Sequence, residues 1–263
     1  MPDSASGSSS PGVKASFSLP VRGGSFSASV ELPAGQTTLT GLLPIIQNLE
    51  NAVIGSIADQ ARAAGSPISC RAGCGACCRQ LVPVSLFEAE ALAAWIKTLP
   101  ETQRAELKRR FHRAFEALRD AGLIERILDS RTTEDEESEM QLTIDYFHAG
   151  VACPFLENES CSIHPIRPLA CREYMVTSPA ELCRDPSVND VHGVQMPIKF
   201  SRVLISLGQE IDQDNPRGSI PLVFLMAWAG SGATPGERIS GSSQEVLRQF
   251  LDRAAAVVEA EQA

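Results

Sequence analysis

Residues 70–78 read Cys70-Arg71-Ala72-Gly73-Cys74-Gly75-Ala76-Cys77-Cys78, a C-x3-C-x2-C-C loop. Gly73 and Gly75 let the backbone turn tightly. Thiolates at two- and three-residue spacing on such a loop can converge on one metal centre. The remaining thiols are Cys153, Cys161, Cys171 and Cys183, so all eight cysteines of the 263-residue chain lie between Cys70 and Cys183. A chain of this length buries a sizeable apolar core without covalent help. The thiols are therefore free for chemistry, and disulfides are the minority reading.

Around this cluster the composition is that of a globular protein, with 43% hydrophobic and 21% charged residues. Net charge is −9, which gives no electrostatic footprint for nucleic acid or for anionic membrane surfaces. The longest apolar run, Ile220 to Ala229, is interrupted by Pro221 and is far short of the ~20 residues of a membrane helix. The N-terminus has no basic start and no apolar core, so a cytoplasmic location is expected. In a reducing compartment clustered cysteines point to metal or redox chemistry.

Working outward, residues 1–12 are Ser/Gly/Pro-rich and are expected to be a disordered tail. Residues 13–64 read as a β-hairpin turning at Arg22-Gly23-Gly24, then a helix capped by Thr40 with Leu42, Ile45, Ile46, Leu49, Val53 and Ile57 inward. Residues 65–197 form the cysteine domain. It contains an inserted helical hairpin: Ser85 and Glu88 make a capping box, Leu92, Trp95 and Ile96 face inward, and a second helix carries Leu107, Phe111, Phe115 and Leu118. The acidic run within Ser130 to Glu139 reads as a solvated loop. Residues 150–197 are irregular and need something other than a core to hold them. Residues 198–263 are a C-terminal helical segment on the same core, with a capping box at Ser242 and Glu245 and a stripe of Val246, Phe250, Leu251, Ala254, Val257 and Val258. Lys199 to Leu207 and Ile220 to Ala229 are apolar elements of unassigned type. The fold class is mainly α, with irregular cysteine-rich loops and a small N-terminal β-hairpin.

The second half reads Cys153-Pro154-Phe155-Leu156, Cys161-Ser162-Ile163-His164, then Arg167-Pro168-Leu169-Ala170-Cys171-Arg172. Arg167 and Arg172 stand where they would offset the negative charge of a thiolate centre, through hydrogen bonds to sulfur or to nearby carboxylates. With the first cluster, this pattern resembles the YkgJ-type cysteine-cluster family over about Cys70 to Cys183. The resemblance implies a zinc- or iron-chelating domain, with Cys70, Cys74, Cys77, Cys78, Cys153, Cys161, Cys171 and Cys183 as candidate ligands. Zinc and iron, including a 4Fe–4S cluster, all take thiolates, so spacing alone does not choose between them. The same cluster occurs in flagellin lysine-N-methylases, which implies protein lysine methyl transfer as an alternative. A structural zinc module presenting a surface to a protein partner is another.

Eight thiolates suffice for two four-cysteine sites or for one site with spares. Cys77 and Cys78 are adjacent, and their side chains diverge in most backbone conformations. His164 is a further candidate ligand by spacing. His112, His148 and His192 carry no such mark. The Cys70-Cys74-Cys77 spacing also matches radical S-adenosylmethionine enzymes, but Ala76 replaces their usual aromatic and no repeated β/α pattern is present. H-E-x-x-H and G-x-S-x-G motifs are absent. The expected topology has the helical hairpin leave and return, so that both cysteine groups meet.

Overall fold

The computed structural model describes residues 12–129, 136–213 and 215–262; the expected tail at residues 1–11 lies outside them. Strands β1 (Val13–Val21) and β2 (Gly24–Leu32) form the anticipated hairpin, with Val21 paired to Gly24. Its tight turn places Gly23 at φ +82°, a conformation that glycine adopts without steric cost. Alternation puts Ala15, Phe17 and Leu19 of β1, with Ala28, Val30 and Leu32 of β2, against the helices. Outward-facing Ser16 and Ser18 pair with Ser29 and Ser27.

Strand β3 (Gln36–Thr38) leads into α1 (Leu39–Ala63). Its N-cap is Thr38, which accepts from Gly41 N at 3.1 Å, and not Thr40. The Thr40 hydroxyl is drawn instead to Glu90 at 2.6 Å, a non-local bond that local capping rules do not reveal. Leu42, Ile46, Leu49 and Val53 are buried as expected, while Ile45 and Ile57 are half-buried.

Strand β4 (Pro83–Ser85) opens α2 (Leu86–Thr98) through the Ser85/Glu88 capping box, and α3 (Glu101–Asp120) returns. Leu92, Ile96, Leu107, Phe111 and Leu118 are buried; Phe115 turns outward and leans on Phe224. Gly122, at φ +68°, ends the hairpin before α4 (Leu123–Asp129). Part of the expected acidic loop is helical: α5 (Glu136–His148) buries Leu142 and Tyr146 against α3 and α4. Residues 130–135 of that loop lie outside the described residues.

Residues 150–197 contain only brief elements: β5 (Leu156–Glu157), β6 (Ser160–Cys161), α6 (Leu169–Glu173) and two 3-10 turns. The unassigned apolar stretches become α7 (Phe200–Ile211), β7 (Ser219–Pro221) and α8 (Leu225–Ala229). Strand β8 (Ser240–Ser242) precedes α9 (Ser243–Ala260), which opens with the expected capping box. Strand β8 pairs with β3, and β7 with β4, so each short sheet ties a helix start to a distant part of the chain.

The principal core joins the hairpin, α1, α7 and α9 around Phe200 and Phe250, whose rings meet edge-on at 5.5 Å. Burying each ring contributes about 2–3 kcal/mol. A second core packs α2 and α3 on Phe155, Ile163, Ile220 and Leu225, with Cys153 and Cys161 at its edge. The protein is mainly α. Among the described residues, no helix is long and apolar enough to cross a membrane.

Candidate metal centre

Three contacts bring the two cysteine groups together. The Cys153 N–H donates to the Cys78 carbonyl at 2.8 Å. Ser69, beside Cys70, donates its N–H to Val176 O at 2.9 Å and its hydroxyl to Ser178 O at 2.5 Å. Arg79 grips Glu159 with two N–H groups at 2.7 and 3.1 Å. This last contact fixes the β5–β6 turn, where Asn158 and Glu159 both take positive φ. Gly75 is indispensable here: a Cβ on it would lie 2.5 Å from Leu156 Cδ1 and 2.6 Å from Glu159 O. The helical hairpin is thus an excursion whose two ends close on the cysteine loops.

All eight cysteines are free. They do not sort into the groups of the linear sequence. Cys183 joins Cys70, Cys74 and Cys77 in one apolar cluster with Ala76 and Val176. Cys171 is electrostatically coupled to Cys153, Cys161 and Cys77. Were it ionised, Cys77 would raise Cys70 and Cys183 on one side and Cys153, Cys161 and Cys171 on the other, so it stands between the two sets. Successive turns, Cys78 N to Gly75 O and Gln80 N to Cys77 O, curl the chain back at this pair, and the Cys78 thiol is the first cause that raises Cys77.

Six of the thiols are held toward their protonated form. Burial, reinforced by neighbouring sulfurs, pushes Cys153 up to about 12 and Cys183 to about 11. Cys70, Cys161 and Cys171 are raised chiefly by burial, and Cys77 by the Cys78 thiol and then by burial. Among the described residues, no three Cys, His, Asp or Glu side chains stand in a metal-holding arrangement. The thiols are collected but not closed into a ligand shell.

The two arginines divide the work. Arg167 lowers the thiols of Cys70, Cys77, Cys161 and Cys171, and its Nε is buried without a hydrogen-bond partner among the described residues. Arg172 is a brace. Its guanidinium donates to Arg167 O at 3.0 Å, Pro165 O at 2.6 Å and Asn51 Oδ1 at 3.0 Å, tying the segment around Cys171 to α1. The nearest carboxylate is Glu50, at 3.9 Å. His164 is depressed by burial and then by the charges of Arg167 and Arg172, which favours the neutral imidazole. His148 bonds Ser187 and His192 bonds Asp190, while His112 is exposed on α3.

Sequence reasoning missed the polar supports. Tyr174 packs against Cys183 in the apolar cluster. Glu88 caps α2 and also accepts from Leu169 N at 2.7 Å, which anchors α6. Glu173 accepts from Ser201 N and from its hydroxyl. Glu50 lies on the α1 stripe, four residues after Ile46, and that spacing was the available signal.

The donor set fits a thiophilic metal. Eight free thiols lie on segments that meet, a guanidinium with an orphaned N–H stands beside them, and no disulfide competes.

Residues 69–190 match a family model, CxxCxxCC, described as "Putative zinc- or iron-chelating domain". The matched segment runs through every cysteine and leaves the hairpin, α1 and the C-terminal helices outside. The first spacing, Cys70-x3-Cys74, is one residue wider than the family's label. No curated protein and no solved structure gives a significant match.

Proposed function

We propose that this protein binds zinc or iron through thiolates drawn from both halves of residues 70–183, with Cys77 at the junction. The observation that carries this reading is the meeting of the two cysteine segments, where Cys153 N–H bonds Cys78 O and Cys183 packs among Cys70, Cys74 and Cys77, with the Nε of Arg167 buried and unpartnered among the described residues. A cation would relieve the mutual repulsion of the ionised sulfurs, and binding would release their protons. Cys70, Cys74, Cys77 and Cys183 form one candidate set; Cys153, Cys161 and Cys171 form the other, sharing Cys77 or taking Cys78. Arg167 would donate to a sulfur of the filled centre, and Arg172 would hold the Cys171 segment against α1. Bound zinc would supply a structural brace, and an iron–sulfur cluster would supply one-electron chemistry.

Anaerobic purification followed by metal and acid-labile sulfide analysis tests this. Zinc without sulfide selects the zinc form, and iron with stoichiometric sulfide selects the cluster. A chain that retains neither metal after reconstitution with each overturns the proposal.

A further inference from the structure

The segment that follows Cys171 borders a second space, a cleft of about 610 Å³ between α6, α7 and residues 193–195. None of the thiols lines it. The chain carries a net charge of −9, yet the charged residues of this lining are three cations, Lys199, Arg202 and Arg217, and one carboxylate, Glu173. That carboxylate is spent on the start of α7: Oε1 accepts from Ser201 N at 2.9 Å and Oε2 from the Ser201 hydroxyl. Arg217 pairs with Glu139, and Arg202 donates to Glu261 through Nη1 at 2.6 Å. A guanidinium has five N–H donors, so one such bond leaves Arg202 able to reach a second oxyanion. Lys199 is exposed and makes no ion pair among the described residues.

The walls of the cleft are fixed by backbone contacts. On one side Val194 N donates to Met175 O at 2.8 Å and Thr177 N to His192 O at 3.0 Å. On the other, Gly208 of α7 and Gly218 meet backbone to backbone. A Cβ on Gly208 would strike the Gly218 carbonyl, and a Cβ on Gly218, at φ +60°, would strike Ile205 O. This approach seats the loop carrying Arg217 on α7, the helix that carries Arg202 and starts just after Lys199. Pro83, Val194 and Ile205 add apolar surface to the lining. A site whose walls are already in place binds without the cost of ordering them, and its volume is that of a small-molecule pocket.

We propose that this cleft binds a small organic anion, a carboxylate or phosphate group on a partly apolar body. Lys199 and Arg202 hold the oxyanion from the start of α7, and Arg217 contributes positive charge from the opposite wall. The apolar part of the ligand covers Pro83, Val194 and Ile205. Opposite charge is what selects the ligand, since a cationic lining in an acidic chain draws in anions and rejects cations. Tyr174 lines the cleft and also packs against the cluster of Cys70, Cys74, Cys77 and Cys183, so the bound anion lies beside the thiols and shares no candidate ligand with the metal centre. The site therefore stands whether or not the chain holds a metal.

Titration of the full ¹⁵N-labelled chain, followed by amide chemical shifts, tests this. Benzoate and phenyl phosphate are the two anionic probes, and benzyl alcohol is the uncharged control. The expected result is saturable shifts at Val194, Gln195, Ser201 and Ile205 with at least one anion and none with benzyl alcohol. The tighter probe tells a carboxylate site from a phosphate site. Lys199→Gln, a change at an exposed position, should weaken binding about tenfold, and Lys199→Arg should restore most of it. Raising salt from about 20 to about 200 mM should weaken binding as well. The same shifts are expected with and without bound metal, which separates this test from that of chelation. No saturable shift with either anion overturns the proposal, as does equal binding of benzyl alcohol. Shifts centred on residues 70–78 would place the probe on the metal centre and also overturn it. An affinity unchanged both in Lys199→Gln and at the higher salt overturns recognition by charge.

Discussion

The Cys153 N–H donates to the carbonyl oxygen of Cys78 at 2.8 Å, so the last thiol of the first loop and the first thiol of the second are neighbours through their backbones. The whole helical hairpin lies between them in sequence. Its two ends meet at this bond, and the site depends on that closure.

Gly75 is the position where closure has least room. Gly75→Ala puts a methyl group into Leu156 and the Glu159 carbonyl. The backbone carbonyl cannot rotate away, so the loops must separate. Destabilisation of about 1–3 kcal/mol is expected from such overpacking, read by chemical denaturation. Metal content should fall with it, since the separated loops carry different thiols.

The Arg79–Glu159 clamp gives a pH signature. Its first cause, the hydrogen bonds from Arg79, holds the Glu159 carboxyl below the ordinary glutamate range. The clamp is therefore complete above that range and is lost as pH falls through the depressed value. Hydrogen exchange of the β5–β6 turn should quicken in acid for the wild type, while Glu159→Gln should be quick already at neutral pH.

Arg167→Gln removes the cation among the thiols without touching a sulfur. Losses of about 10–100-fold in metal affinity are expected, the range for supporting residues around metal ligands. Competition with a chromogenic chelator measures this. Arg167→Lys should recover part of the loss through charge, but not the orphaned Nε donor.

Much of the fold was legible because its signals are local. The Ser85/Glu88 and Ser242/Glu245 capping boxes mark helix starts, and the hairpin announces itself by alternation around Gly23. The Thr38 cap was displaced from its expected position because Thr40 answers to Glu90, far away in sequence. The β3–β8 and β4–β7 pairs are three residues long and join distant segments, so no local pattern encodes them. At the site, spacing identified the thiols but not their partition. Cys183 joins the first loop because Val176 and Ala76 pack it there, which is a tertiary fact. Glu50 and Glu173 read as ordinary charged residues until burial shows that neither reaches water.

Chelation should act regionally. The hairpin, α1, α7 and α9 share a core of their own, whereas residues 150–197 rest on brief elements and the cysteine loops. Removing the metal is expected to raise hydrogen exchange across residues 150–197 and to leave α9 protected. Uniform loss of protection would mean that the metal supports the whole fold.

The central claim is that one residue, Cys77, joins both sets of thiols into a metal centre. Metal per chain in Cys77→Ser, beside wild type and Cys171→Ser purified anaerobically in parallel, tests it most directly. The account predicts that Cys77→Ser loses most of its bound metal and that Cys171→Ser, from the other half of the chain, loses metal as well. Wild-type metal content in both variants would contradict it.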